Sequence, residues 1–169
     1  HGLTEQVPQT VYIVTPERAR EREIHGVTYQ PVSVTEQKFF GYQPTAVGSN
    51  QVNISSIEKT LVDCADHPEF CGGIGELTKA LQNAVDSRCS WERVVEYLRQ
   101  VDNGAATKRI VYLADQLDIE LPQYSALTEE FTTGYPLLDP TREATGTHDS
   151  TYQLRLNVSP ESFLPDNHA

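Results

Sequence analysis

The sequence predicts an α+β fold: an N-terminal antiparallel β meander, a central layer of about four helices, and a C-terminal strand that returns to the sheet. Three patterns along the 169 residues predict it. Apolar and polar residues alternate in the first third, apolar residues recur at helical spacing in the middle third, and alternation reappears near the C-terminus. Strands grouped before helices are typical of α+β architecture. No internal repeat is apparent, which disfavours solenoids and propellers.

The first predicted strand covers residues 10–15, which are rich in β-branched and aromatic side chains. We expect it to be a central strand. Residues 22–34 contain two alternating runs around His25-Gly26, a pattern typical of a hairpin whose turn needs glycine. Pro31 lacks an N–H group for the ladder and therefore places the second run toward a sheet edge. Weak alternation around a glycine turn predicts further strand structure over residues 42–53.

Helical spacing begins at Ser55, which with Glu58 forms the pattern of a capping box. This first helix should end before Pro68. A second amphipathic helix follows Gly72-Gly73.

Ser90 should cap the third helix, and Asn103-Gly104 should close it. A fourth helix is predicted at about residues 105–117. Residues 120–150 are rich in Pro, Thr, Gly and Asp, which favours an irregular loop. Residues 152–158 alternate cleanly and predict the strand that returns to the N-terminal sheet.

One domain is therefore expected over residues 10–158, with a tag remnant or linker at 1–9 and a tail at 159–169. The chain contains no methionine and begins with His1-Gly2, as a trimmed affinity tag does. We expect it to be part of a longer protein.

Composition limits the class of function. There are 24 acidic and 13 basic residues, and the resulting net charge of −11 repels phosphate backbones. The three cysteines form neither a CxxC pair nor a zinc-finger pattern with histidine, so reduced thiols in the cytoplasm are the best interpretation. No apolar run reaches the ~20 residues of a membrane span. No cofactor motif is complete.

Candidate catalytic groups are few. His25 and His67 are the histidines near predicted elements, and both adjoin turn residues, which favours solvated loop positions. Carboxylates of the first predicted helix, including Asp63 and Asp66, lie close to Lys59, and carboxylates with a lysine are typical of magnesium-dependent nucleases. An exposed, charged helix face is the favoured interpretation.

The glycines before the second helix resemble a phosphate cradle, because free N–H groups at a helix start attract anions. Neither phosphate-binding glycine motif is complete, and Glu76 would repel a phosphate. We therefore interpret Gly72 and Gly73 as a tight turn between helices.

Residues 52–115 resemble the C-terminal domain of the AbiEi-like abortive-infection antitoxins. The most specific part is Glu58-Lys59-Thr60-Leu61-Val62-Asp63 with the double glycine. Further similarity lies in Ile54 to Ile57, Pro68, Ile74, Trp91-Glu92-Arg93, Asn103 to Ala106, Arg109, the His-Gly-Val-Thr-Tyr run at residues 25–29, Phe39-Phe40-Gly41 and Leu154 to Val158. The resemblance covers about residues 10–158 in order.

The resemblance implies a protein of two domains. An N-terminal winged helix, expected to be missing here, would repress its own operon and supply all DNA binding. The C-terminal domain would neutralise a nucleotidyltransferase-like toxin without a lasting complex. The family motif names no catalytic group, cofactor or metal ligand. The matching positions are Glu58, Lys59, Asp63, Gly72, Gly73 and Arg109. We expect structural roles for the charged ones, with Glu58 as a cap and Lys59, Asp63 and Arg109 in ion pairs.

Three hypotheses follow: a regulatory antitoxin domain that is not an enzyme, a magnesium-dependent nuclease, and a dimerisation module for a DNA-binding repressor. In the third hypothesis the chain forms a homodimer. Convergence of Asp63, Asp66 and a third carboxylate with a lysine around a cleft would favour the nuclease. An apolar surface patch would favour the dimerisation module.

Overall fold

The computed structural model describes residues 1–5 and 7–164 and confirms the predicted α+β class. The strands of the described residues are β1 (Thr10–Thr15), β2 (Arg22–Ile24), β3 (Val27–Ser33), β4 (Tyr42–Val47), β5 (Asn50–Ser55), β6 (Thr147–Asp149) and β7 (Leu154–Leu156). The helices are α1 (Ile57–Asp66), α2 (Pro68–Cys71), α3 (Ile74–Val85), α4 (Trp91–Val101), α5 (Gly104–Gln116) and α6 (Tyr124–Glu129). Single-turn 3-10 helices span Glu36–Lys38 and Pro160–Ser162.

The first sheet has the strand order β1-β3-β2, with β1 parallel and β2 antiparallel to β3. The predicted antiparallel meander is therefore wrong, and β1 is an edge strand instead of a central one. Strand length explains the order, because β3 pairs along all six residues of β1 whereas β2 has three residues, two of them charged. Short, charged strands suit sheet edges. The β2–β3 hairpin is as predicted, with positive φ at both His25 and Gly26.

β3 occupies the centre of this sheet although Pro31 was expected to place it at an edge. β2 pairs only with residues 27–29 of β3, so one edge of β3 is free at Pro31. The N–H groups of Thr28 and Val34 point toward β1, at 2.9 and 3.0 Å from their acceptors. Because N–H groups alternate in direction along a strand, the nitrogen of Pro31 faces the free edge, where it removes no ladder bond.

The remaining strands of the first third, β4 and β5, form a separate antiparallel hairpin. The hydrophobic core lies almost entirely in the helical layer. Its fully buried side chains include Leu61, Leu77, Leu81, Leu98, Ile110 and Leu113. Among the described residues between 4 and 57, none is buried. The first sheet and the hairpin are therefore attached to the core without forming part of it.

Capping residues set the helix boundaries. α1 begins after Ser56, whose Oγ accepts the N–H three residues on at 3.2 Å, so the predicted Ser55 cap is displaced by one residue. Ser90 caps α4 as predicted. Asn103 does not close α4, because Asp102 already ends that helix in the left-handed region at φ 54°. Asn103 instead caps α5, its Oδ1 accepting an N–H at 2.9 Å.

The C-terminal strand does not return to the first sheet. β7 pairs antiparallel with β6, because Asp149 Oδ1 accepts the N–H groups of Thr151 and Tyr152 and closes a tight turn. Pairing with a strand nearby in sequence costs less loop-closure entropy than pairing with a strand ~100 residues away. The segment predicted to be irregular, 120–150, also contains α6, whose Leu127 is fully buried.

Both ends of the described chain pack on the helical layer. Leu3, within the expected tag remnant or linker, is 7% exposed, and its carbonyl accepts a hydrogen bond from Asn83 at 2.8 Å. Phe163, within the expected tail, is also buried. Residues 165–169 of that tail lie outside the described residues. The longest described helix, α5, has 13 residues. None of the described helices has the length and apolarity needed to cross a membrane.

Candidate functional site

Glu58, at the start of α1, connects two helices. Its side chain is buried, and Oε1 accepts the backbone N–H of Ser90, the N-cap of α4, at 3.0 Å. Burial raises the pKa of Glu58, but the hydrogen bonds from Ser90 and Ser56 outweigh it and hold the pKa below its ordinary value. Glu58 therefore anchors the turn into α4 to the start of α1.

Lys59 and Asp63 form an ion pair one helical turn apart on α1. The Lys59 side chain is buried, and its Nζ also lies 4.9 Å from the centre of the Phe40 ring. Burial raises the pKa of Asp63, and the charge of Lys59 offsets this only in part. The pair fixes α1 against the segment that precedes β4.

Asp66, near the end of α1, contacts residues of two other parts of the chain. Its Oδ2 lies 2.7 Å from Nζ of Lys38, and its Oδ1 accepts a hydrogen bond from the side chain of Asn103. The carboxylate is 4% exposed. It therefore joins a 3-10 helix, α1 and the start of α5 at one point.

The carboxylates of α1 do not converge on a common space. Glu58, Asp63 and Asp66 bind three separate partners, as described above. In residues 1–5 and 7–164, no three His, Cys, Asp or Glu side chains are arranged to hold a metal ion. His67 contacts Glu69 at 3.0 Å and stacks on Phe70, and no serine or cysteine hydroxyl or thiol of this part of the chain is hydrogen-bonded to it. The convergence required by the nuclease hypothesis is not seen here.

Gly72 and Gly73 form the tight turn predicted between two helices. Gly72 ends α2 with φ 96°, and Gly73 precedes α3 with φ 86° and ψ −171°, a conformation open essentially to glycine alone. A Cβ on Gly73 would lie 2.9 Å from Asp139 Oδ2. That same oxygen accepts the N–H of Ile74 at 3.2 Å. The chain's own carboxylate therefore occupies the anion position at the start of α3.

An open cleft of about 820 Å³ lies beside this turn. Its wall combines the first turns of α3 with residues 157–164, and it includes Glu76, Lys79, Arg142 and Ser162. Lys79 contacts Glu76 Oε1 at 2.8 Å. The other oxygen, Oε2, is buried and has no hydrogen-bond partner among the described residues.

Arg109 and its neighbour Lys108 hold the segment that follows α6. The Arg109 guanidinium donates to the carbonyls of Leu137, Leu138 and Ala65 at 2.9 to 3.2 Å, so carbonyls take the place of the expected ion pair. Burial lowers the pKa of Arg109 and also that of Lys108.

Lys108 is fully buried and was not singled out from the sequence. Its Nζ donates to the carbonyls of Thr132 and Gly134 at 2.6 and 2.8 Å. The sequence feature that could have indicated its burial is its position between Ala106 and Ile110, two buried residues of the apolar stripe of α5.

One face of the first sheet carries a group of apolar side chains, two of which are exposed. Alternate residues of a strand share a face, and register places Ile13 opposite Pro31 and Ile24 opposite Val27. Tyr12 points to the other face, where its ring stacks on Phe70 of α2 at 4.7 Å. The apolar residues of the outer face, the sheet patch, are Val11, Ile13, Ile24, Val27, Tyr29 and Pro31. Thr15, Arg22 and Ser33 lie on the same face. Ile13 and Ile24 are 44% and 49% exposed.

Comparisons with protein families, with curated proteins and with solved structures found no match. Fold and site together define an α+β domain whose charged motif residues are held by partners within the chain and whose first sheet exposes apolar side chains in the sheet patch.

Proposed function

We propose that this chain is the antitoxin and regulatory domain of an AbiEi-like transcriptional repressor, and that it acts by binding and not by catalysis. In this proposal it counteracts a nucleotidyltransferase-like toxin in the cytoplasm during phage abortive infection. DNA is bound only by a winged-helix domain elsewhere in the parent protein. The sequence resemblance over residues 10–158 supports the family, and the sheet patch is the observation that carries the binding function.

The sheet patch supports binding because contiguous exposed apolar surface is uncommon on monomeric proteins and often marks an interface. The sheet's opposite face meets the body through the stacked rings of Tyr12 and Phe70. On the outer face, apolar side chains from all three strands lie together, and those of Ile13 and Ile24 are exposed. The separate hairpin β4–β5 also exposes apolar side chains, those of Val47 and Val52.

The charged residues of the family motif support a structural role. Glu58, Lys59, Asp63 and Arg109 each bind partners within the chain. Binding a substrate or metal ion through any of them would break a contact within the chain. A non-catalytic function agrees with this arrangement.

Charge favours a second copy of this chain as the occupant of the sheet patch. Residues 1–55, which include the first sheet, carry five acidic and four basic side chains. The remaining 114 residues carry 19 acidic and nine basic side chains. Two copies that meet through their nearly neutral sheets keep their acidic helical layers apart, which limits repulsion. A two-fold pair of this kind matches the symmetry that repressors use at paired half-sites.

Toxin rescue in growing cells tests the proposal. The toxin gene next to the parent's operon is induced in cells that express the parent, this chain or neither. We expect growth to recover with this chain alone, at an expression level confirmed by immunoblot. Full recovery with the parent and none with a well-folded chain would contradict the assignment of antitoxin activity to these residues.

The sheet patch also favours a second candidate, a dimerisation module without antitoxin activity. Sedimentation equilibrium gives the mass in solution for the wild type, for Ile13→Lys and for Val85→Lys. Val85 is 53% exposed on α3 and serves as a matched control. A dimer that Ile13→Lys alone dissociates, together with no rescue, favours the module. A monomer at all concentrations rules the module out.

A further inference from the structure

Two of the three cysteines lie side by side across the corner between α1 and α2. Cys64 is in the last turns of α1, and Cys71 is the final residue of α2. Because α2 starts at Pro68, directly after the end of α1, the chain folds back and brings residue 71 to residue 64. Sγ of Cys71 lies 3.8 Å from the carbonyl oxygen of Cys64, so the two cysteines are in contact.

The two thiols differ in reactivity. The contact with Cys64 lowers the pKa of Cys71 and outweighs the effect of burial. The same thiol contact and burial raise the pKa of Cys64. Since the thiolate is the reactive form, Cys71 is the nucleophile of the pair and Cys64 retains its proton.

Solvent reaches the pair through a second cleft. This cleft has a volume of about 610 Å³, and both cysteines line it together with Tyr12, Phe70 and Glu76. The third cysteine, Cys89, lies elsewhere, after α3, and burial raises its pKa to about 12. The chain thus contains a paired, accessible dithiol and an unreactive single thiol.

We propose that Cys64 and Cys71 are a redox modification site, which peroxide oxidises to a reversible intramolecular disulfide. The Cys71 thiolate attacks one oxygen of hydrogen peroxide, the O–O bond breaks, and hydroxide leaves with the formation of a sulfenic acid. The Cys64 sulfur then attacks the Cys71 sulfur, the S–O bond breaks, and the Cys64 proton leaves with the second hydroxide as water. Two thiols lose two electrons in total, and one peroxide is reduced to two waters.

Oxidation at this position affects how the first sheet is held. Phe70 precedes Cys71 in α2, and its ring is the one that stacks on Tyr12 of β1. A disulfide joins α2 covalently to α1 and so fixes the helix that carries this contact. The site does not depend on the antitoxin proposal, because it rests on the α1–α2 corner alone.

Peptide mapping tests the site directly. Trypsin cuts after Lys59 and Lys79, so both cysteines fall in one peptide, 60–79, while Cys89 falls in another, 89–93. The folded protein is treated with hydrogen peroxide, then unfolded in urea, alkylated and digested without reduction. We expect peptide 60–79 to lose two hydrogens and both alkylation sites and to regain them after dithiothreitol, with peptide 89–93 fully alkylated throughout.

Variants test the roles of the two thiols. In Cys64→Ser, we expect a sulfenic acid at Cys71 that dimedone traps, because no second thiol resolves it. In Cys71→Ser, Cys64 should stay reduced under the same treatment, and Cys89→Ser should behave as the wild type does. The proposal is overturned if peptide 60–79 of the folded wild type remains alkylated, if it forms its disulfide no faster than the urea-unfolded chain, or if Cys89 reacts first.

Discussion

Replacing Arg109 with methionine should destabilise the fold substantially, because three buried carbonyl oxygens lose their donor. The acceptors belong to Leu137, Leu138 and Ala65, so the contact joins the segment after α6 to α1. An unsatisfied buried polar group costs about 1 to 3 kcal/mol. Methionine restores some apolar contact and removes the cost of burying a charge. The expected loss in the free energy of unfolding is therefore near the low end of the total for three acceptors, about 3 kcal/mol.

Urea unfolding followed by circular dichroism measures this loss. With an m-value of about 2 kcal/mol/M, the midpoint should fall by about 1.5 M. Arg99→Met is the matched control, since Arg99 forms its bonds to Glu130 and Gln123 at the surface. We expect no measurable shift for the control. Equal midpoints for Arg109→Met and Arg99→Met would refute the role assigned to the buried guanidinium.

Three further predictions concern the motif positions. Glu58→Gln removes a carboxyl group whose pKa lies below its ordinary value of 4.5. The wild type loses the stability linked to this group as the pH falls below 4.5, so the variant should lose stability less steeply with acid. Acid titration followed by circular dichroism measures the difference. Gly73→Ala should cost more than Gly134→Ala in urea unfolding, because both have positive φ but only the Gly73 Cβ meets a carboxylate. Asp63→Ala leaves the buried Lys59 unpaired and should lower the free energy of unfolding by about 2 to 3 kcal/mol in thermal or urea unfolding. Toxin rescue should persist at low temperature, and its loss in a folded variant would contradict the structural role.

Local chemistry made much of the helical layer predictable. The Ser90 cap and the periodic apolar residues of α3 and α5 depend on neighbours within one or two turns, and these helices lie where they were predicted. The His25-Gly26 hairpin is equally local. By contrast, the parallel pairing of β1 with β3 is a choice between partners with similar alternation, which periodicity cannot rank.

The candidate site was less predictable, because its contacts join distant parts of the chain. Asp139 accepts the N–H of Ile74, a residue 65 positions away, and nothing near the double glycine indicates that partner. Lys108 binds carbonyls in a segment whose composition predicts an irregular loop. The partnership of Cys64 and Cys71 depends on the direction of a four-residue helix, which spacing does not set.

The sheet patch is best tested by toxin rescue with single surface substitutions in the parent protein. Ile13→Lys places a charge within the patch, and Val85→Lys places one at a similarly exposed position on α3, outside it. Both variants should unfold at the wild-type urea concentration, because neither residue is buried. We predict that Ile13→Lys abolishes rescue and that Val85→Lys retains it. Equal rescue by the two variants would contradict a binding function for this face.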